Sequence, residues 1–151
     1  MAVHYSNAVR NSGVDGRALV STAKRLLETL GRDDASLSLA LVNDAAIRAL
    51  NREYRGKDAA TDVLSFPLDD EPPVEGIESL LGDVVISIDT ARRQAGDYDA
   101  PLQLELYRLV IHGILHLLGH DHVESGQRRT MEREERRLAN AIGMPWPYRK
   151  P

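Results

Sequence analysis

The stretch that most constrains this chain begins at Leu102 and ends at His122. From Leu102 to Leu118 it is apolar on most sides, the pattern of a helix buried all round. Pro101 sits at its first turn, where a missing N–H costs nothing, and Gly119 follows its end. Other elements must therefore be wrapped around this helix. Four of the chain's five histidines fall within eleven positions at its C-terminal end: His112, His116, His120 and His122. His112 and His116 are four apart, so their Cβ atoms are neighbours on one helical face, roughly 5–6 Å apart. That spacing lets two imidazoles grip one metal ion. His120 and His122 are the candidates for a third ligand. On a straight helix His120 would lie about 12 Å of rise beyond His112, too far when zinc holds each nitrogen at about 2.0–2.1 Å. Glycine enters the left-handed conformation readily, so a turn at Gly119 can bring His122 back over the first two.

The spacing His-x3-His-x2-Gly-x2-His is that of the metzincin zinc signature. One residue of that signature is absent. A zinc peptidase of this type carries Glu after the first His as general base, and here the position is Gly113. The metal pocket is expected without the peptidase base. Glycine at this place also raises the expectation that substrate approaches the helix closely.

The length, 151 residues, fits one domain spanning residues 1–151 with a sizeable core. With no cysteine, disulfides and thiolate zinc sites are excluded, so a metal would be held by nitrogen and oxygen. Three imidazoles leave a fourth position for water, the catalytic pattern for zinc. No basic-then-apolar leader and no membrane-length apolar run is seen, so a cytoplasmic protein without a membrane partner is expected. The net charge of −4 argues against general polyanion binding. Any nucleic-acid contact must come from a local patch drawn from the 16 Arg and 3 Lys.

Along the chain, Ala2–Tyr5 reads as a short strand. Asp15 caps a helix with an apolar stripe of Leu19, Ala23, Leu26, Leu27 and Leu30, ended by Gly31. Leu37, Leu39 and Leu41 alternate with small residues as a half-buried strand. Asp44 is expected to cap a second helix, with Ile47, Leu50 and Tyr54 inward and Gly56 beyond its end. A polar turn at Arg55–Asp58 leads to a strand over Thr61–Pro67. Leu68–Glu78 holds five acids and two prolines and reads as a mobile connector. Gly82–Ile88 is an apolar strand, and Asp89 caps a helix to about Tyr98. After His122, Ser125 opens a last helix to about Ile142, whose mixed charges suggest a salt-bridged solvent face.

Four motifs stand in this order: Asn51-x-x-Tyr54-Arg55-x-Lys57, Thr61-Asp62-Val63-Leu64-Ser65-Phe66-Pro67, Gly82-Asp83-Val84-Val85-Ile86 and His112-Gly-x-Leu-His116-Leu-x-Gly119-x-Asp121-His122. Together they resemble the YbeY family of bacterial endoribonucleases of ribosomal RNA maturation. The resemblance spans roughly Leu37 to His122 and implies the fold class α/β (α+β): a small mixed β-sheet packed by helices, with a buried central helix carrying the zinc motif. It implies one Zn2+ ion held by His112, His116 and His122, and a functionally important arginine at Arg55. It also implies cleavage of single-stranded RNA, maturation of the 3′ end of 16S ribosomal RNA and late 70S ribosome quality control. Ribosomal RNA, small-subunit proteins and assembly factors are the implied partners, and DNA is not. Two positions depart from the family pattern. His120 stands where Tyr is usual, which makes it a local alternative ligand, and Ala60 stands where Pro is usual.

On this reading, zinc on three neutral imidazoles brings the pKa of water near neutrality, so Gly113 need not be a base. Arg55 forks onto the phosphodiester oxygens as charge builds. From the residues alone, Arg55 reads first as a helix-end cation on the last carbonyls, and only the family match reverses that; Asp121 reads as readily as a local backbone acceptor as a group that orients a ligand imidazole or relays a proton. Two other functions stay open: a metzincin-like zinc peptidase, and a zinc-containing ribosome-assembly factor without catalysis.

Overall fold

The computed structural model describes residues 2–68, 79–120 and 125–148. Its elements are β1 (Ala2–Asn7), α1 (Gly16–Thr29), β2 (Ala35–Val42), α2 (Asp44–Arg55), β3 (Val63–Pro67), β4 (Ser79–Ser87), α3 (Ile88–Asp97), α4 (Leu102–Leu117) and α5 (Ser125–Ala141). The strands form one sheet in the order β1-β2-β4-β3. β1, β2 and β4 run parallel, and β3 runs antiparallel to β4. This is the single α/β domain with a small mixed sheet that the family resemblance implies.

β2 alternates as its leucines predict, with cover of both faces completed by helices, as parallel strands require. Leu37, Leu39 and Leu41 are fully buried, whereas Ser38, Ala40 and Val42 on the other face are only partly covered. The leucine face packs with Val84 and Ile86 of β4 against α1, α3, α4 and α5. The opposite face is covered by α2, where Ile47 meets Leu64 and Val85. Tyr54, expected inward, is instead 61% exposed, resting edge-on against Phe66. Asn51 takes the inward place and donates to the Ala59 carbonyl at 2.8 Å.

The helix starts differ from the sequence expectation in an instructive way. The cap of α2 is Asn43, whose Oδ1 accepts from the Ala46 N–H at 2.9 Å. The cap of α3 is Ser87, because β4 runs directly into that helix. Each aspartate serves the neighbouring helix start. Asp89 accepts from the Asp44 N–H at 2.9 Å. Asp44 accepts from the Ser87 and Thr90 hydroxyls at 2.6 and 2.7 Å, and from Arg93 at 2.9 Å.

α4 is buried as its composition requires. Leu106, Leu109, Val110, Ile111, Ile114 and Leu115 are fully covered, each worth about 1.5–3 kcal/mol of burial. Pro101 is the cap residue itself, one place before the first helical residue. Gly113 is where the helix meets the sheet. A Cβ there would stand 2.7 Å from Val84 Cγ1 and 3.3 Å from Ser65 Oγ. Ser65 Oγ donates to the Gly113 carbonyl at 3.1 Å. This glycine is buried against β4, which corrects the expectation that it opens the helix to substrate. Residues 69–78, which hold most of the acidic connector, lie outside the described residues.

Candidate active site

The end of α4 is shaped by Gly119. Its φ is +94°, and the chain closes the helix with two backbone bonds. Gly119 N–H donates to His116 O and His120 N–H to Leu115 O, both at 3.0 Å. That pair of bonds is the glycine-based stop called the Schellman motif, and it turns the chain off the helix axis where the sequence required it. Just before the stop, His112 and His116 converge. Their Nε2 atoms are 3.1 Å apart, with ring centroids 4.6 Å apart and the planes inclined at 70°. Two nitrogens about 2.0–2.1 Å from one tetrahedral ion stand roughly 3.3 Å apart. The spacing of the two imidazole nitrogens therefore fits a shared zinc ion.

His120 follows the stop and lines the same cleft. His122 and Asp121 lie outside the described residues. Among the described residues, no three His, Asp or Glu side chains gather closely enough to hold an ion, so the described donor set is the His112–His116 pair.

The cleft in front of this pair has a volume of about 820 Å³. Its walls come from α2 and the turn after it (Asn51, Arg55, Lys57, Thr61, Asp62), from β3 and from the end of α4. The turn is tied to α2 at two points. Asn51 holds Ala59, and Arg48 forks onto Asp58 at 2.8 and 3.2 Å. Gly56 ends α2 with a φ of +69°, sending the chain back toward β3. Arg55, at the last position of α2, donates Nη2 to the Ser65 carbonyl at 2.7 Å and lies 5.8 Å from the Phe66 ring centre. The guanidinium is thus fixed in the same cleft as the two histidines.

Asp62 is held by a partly buried chain of polar groups. Its Oδ1 accepts from the Val63 N–H at 2.8 Å and its Oδ2 from Gln94 at 3.3 Å. Gln94 accepts from Arg108 at 3.3 Å, and Arg108 pairs with Glu105, which is fully buried. Sequence reasoning passed over Asp62 and also Glu135, whose Oε1 lies 3.2 Å from His112 Nδ1. The signal for Asp62 was its place in the motif Thr61–Pro67. Glu135 left only a weak one, an acid falling on the apolar stripe of Met131, Leu138 and Ala139.

Comparison with known proteins bears on this arrangement directly. The family model described as Endoribonuclease YbeY matches residues 4–143. The chain belongs to the YbeY family. An Endoribonuclease YbeY of Anaeromyxobacter sp. is 51% identical over 95% of this chain and 73% of that protein. The Endoribonuclease YbeY of Moorella thermoacetica is 44% identical over 85% of this chain and 90% of its own length. The solution structure of TM1509 from Thermotoga maritima, at 27% identity, superposes with a TM-score of 0.60 over 93% of this chain and 88% of its own. YbeY membership makes the chain a hydrolase of the endoribonuclease class, with RNA as substrate. The YbeY family is in general metal-dependent, and the His112–His116 pair is chemically suited to that. No helix among the described residues is long and apolar enough to cross a membrane.

Proposed function

We propose that this chain is a zinc-dependent, single-strand-specific endoribonuclease. Its activity would mature the 3′ end of 16S ribosomal RNA and act in late 70S quality control, in the cytoplasm, alongside ribosomal proteins and assembly factors. Residues 1–151 would serve as one functional unit. The observation that carries the reading is the 3.1 Å approach of two Nε2 atoms in a cleft shared with an anchored arginine. His112, His116 and His122 would hold one zinc ion. When bound, zinc supplies Lewis acidity and brings the pKa of water to about 7.

The chain's own groups do the rest. Arg55 spends one nitrogen on Ser65 O and keeps the remainder of its fork for the non-bridging oxygens of a phosphodiester. An arginine already held in place needs little reorganisation as charge builds on those oxygens. Lys57 lines the same wall and adds positive charge for the flanking backbone. An extended single strand can lie along the β3 rim, whereas a duplex brings two backbones and a wider body.

A peptidase would bind substrate by extending the sheet at β3. The outward groups of that edge are largely occupied. The Val63 N–H is bonded to Asp62, the Ser65 carbonyl to Arg55, and Pro67 has no N–H. Gly113 also lies too close to Val84 to be replaced by a glutamate base.

The test compares wild type with His116→Ala on a single-stranded RNA carrying the small-subunit 3′ end, with casein beside it. Wild type should cut the RNA and leave casein intact. The variant should remain folded, lose zinc and lose cleavage. If the folded, zinc-free variant still processes RNA, the metal is not catalytic. Casein cleavage by wild type would return the peptidase reading.

A further inference from the structure

We infer that Glu135 of α5 is the positioning residue for His112, holding its ring so that Nε2 faces the ion. The inference rests on the reading of His112 and His116 as metal ligands.

α5 turns Met131, Leu138 and Ala139 into the core, and position 135 lies on the same stripe at helical spacing. An aliphatic side chain would fill that place. A glutamate stands there instead, only 7% exposed, and a carboxylate taken from water requires a partner. Arg137, two places further along the helix, is engaged by Glu134 at 2.7 Å. The group that meets Glu135 is His112 Nδ1 at 3.2 Å.

The consequence for His112 follows from the donor and acceptor chemistry of imidazole. A carboxylate oxygen only accepts, so Nδ1 must carry the proton and Nε2 keeps its lone pair. Nε2 is the atom that stands 3.1 Å from His116 Nε2. Glu135 approaches the opposite nitrogen, so it acts as the outer partner of a ligand. Such carboxylate–histidine pairs fix the tautomer and orientation of the ring and raise its basicity toward the metal. Without the carboxylate, His112 can place its proton on Nε2, a form that cannot bind through that atom. α5 thereby contributes to the site through Glu135, which is not among the three ligands.

A purely structural tie between α4 and α5 would use the same hydrogen bond, so the test needs readouts that such a tie would not move. Zinc affinity is measured by chelator competition on wild type, Glu135→Ala and Glu135→Gln, with the zinc-free melting temperatures alongside. Nitrogen-15 NMR of the zinc-free proteins reports the His112 tautomer. Wild type should bind one zinc and show His112 protonated at Nδ1. Glu135→Ala should bind zinc about 10–100-fold more weakly and shift His112 toward the Nε2-protonated form. Glu135→Gln, which keeps an acceptor oxygen, should recover part of both. If Glu135→Ala fails to fold, Glu135→Gln alone carries the test, with a smaller loss in the same direction. Zinc affinity within about twofold of wild type in the folded variants overturns the inference and leaves the metal site standing. If wild type binds no zinc, both fall.

Discussion

Gly113 occupies the place where a zinc peptidase of this spacing carries its glutamate, and its reason is steric. A Cβ at this position would press on Val84 at 2.7 Å, and valine has little rotamer freedom with which to yield. Gly113→Ala should therefore lose about 1–3 kcal/mol through overpacking, more than the roughly 1 kcal/mol that alanine returns in helix propensity. Thermal melts of the zinc-free proteins check this, and a variant as stable as wild type would show that the helix can lift off β4. Arg55 makes a second prediction at this scale. Arg55→Ala should lower RNA cleavage about 10²–10³-fold with zinc content unchanged. Arg55→Lys should recover little, since an ammonium lacks the planar fork that serves Ser65 O and a phosphate together. The measurement is single-turnover cleavage with metal analysis beside it. At the residue scale, the histidine pair was legible because ligand spacing and helix period coincide. Glu135 was not, because the period of α5 shows which residues face inward but not which histidine they meet.

Among the elements, the paired starts of α2 and α3 form a small electrostatic unit. Burial alone would push the Asp44 carboxyl up, but the Ser87 and Thr90 hydroxyls and the Arg93 cation outweigh it and hold its pKa below the ordinary 3.8. A depressed folded pKa means stability that is full above the unfolded value and is lost as pH falls through the folded one. Asp44 should thus contribute at pH above about 4, with the contribution fading below that as the carboxyl protonates. Asp44→Asn should melt lower than wild type at pH 7, with the gap closing toward pH 2–3; a gap independent of pH would contradict the assignment. Both aspartates were read as caps of their own helices because a sequence shows only the nearest helix start. The strand-to-helix continuity of β4 and α3, which moves the cap to Ser87, depends on the sheet register and could not be read locally. The buried helix α4 and its glycine stop were legible, since an all-round apolar run and a glycine are local signals.

Across the molecule, the β3 edge of the sheet and the end of one buried helix bring together residues far apart in sequence: Arg55 from α2, the β3 rim, the α4 histidines and Glu135 from α5. The order β1-β2-β4-β3 does this by placing antiparallel β3 at the edge beside α4. No local pattern encodes that order, whereas the motif spacing that marks the YbeY family was readable along the chain. Zinc binding should also be felt by the whole fold. At free zinc about 100 times its dissociation constant the native state gains about 2.7 kcal/mol, or roughly 5–10 °C in a domain of this size. Calorimetry with and without a chelator would show that shift, and equal melting temperatures would speak against a folded-state metal site. The most direct trial of the account is cleavage of single-stranded RNA by the purified chain as isolated, after chelation, and after return of one equivalent of zinc. Cleavage should vanish on chelation and come back with the metal. Undiminished cleavage by the metal-free protein would contradict it.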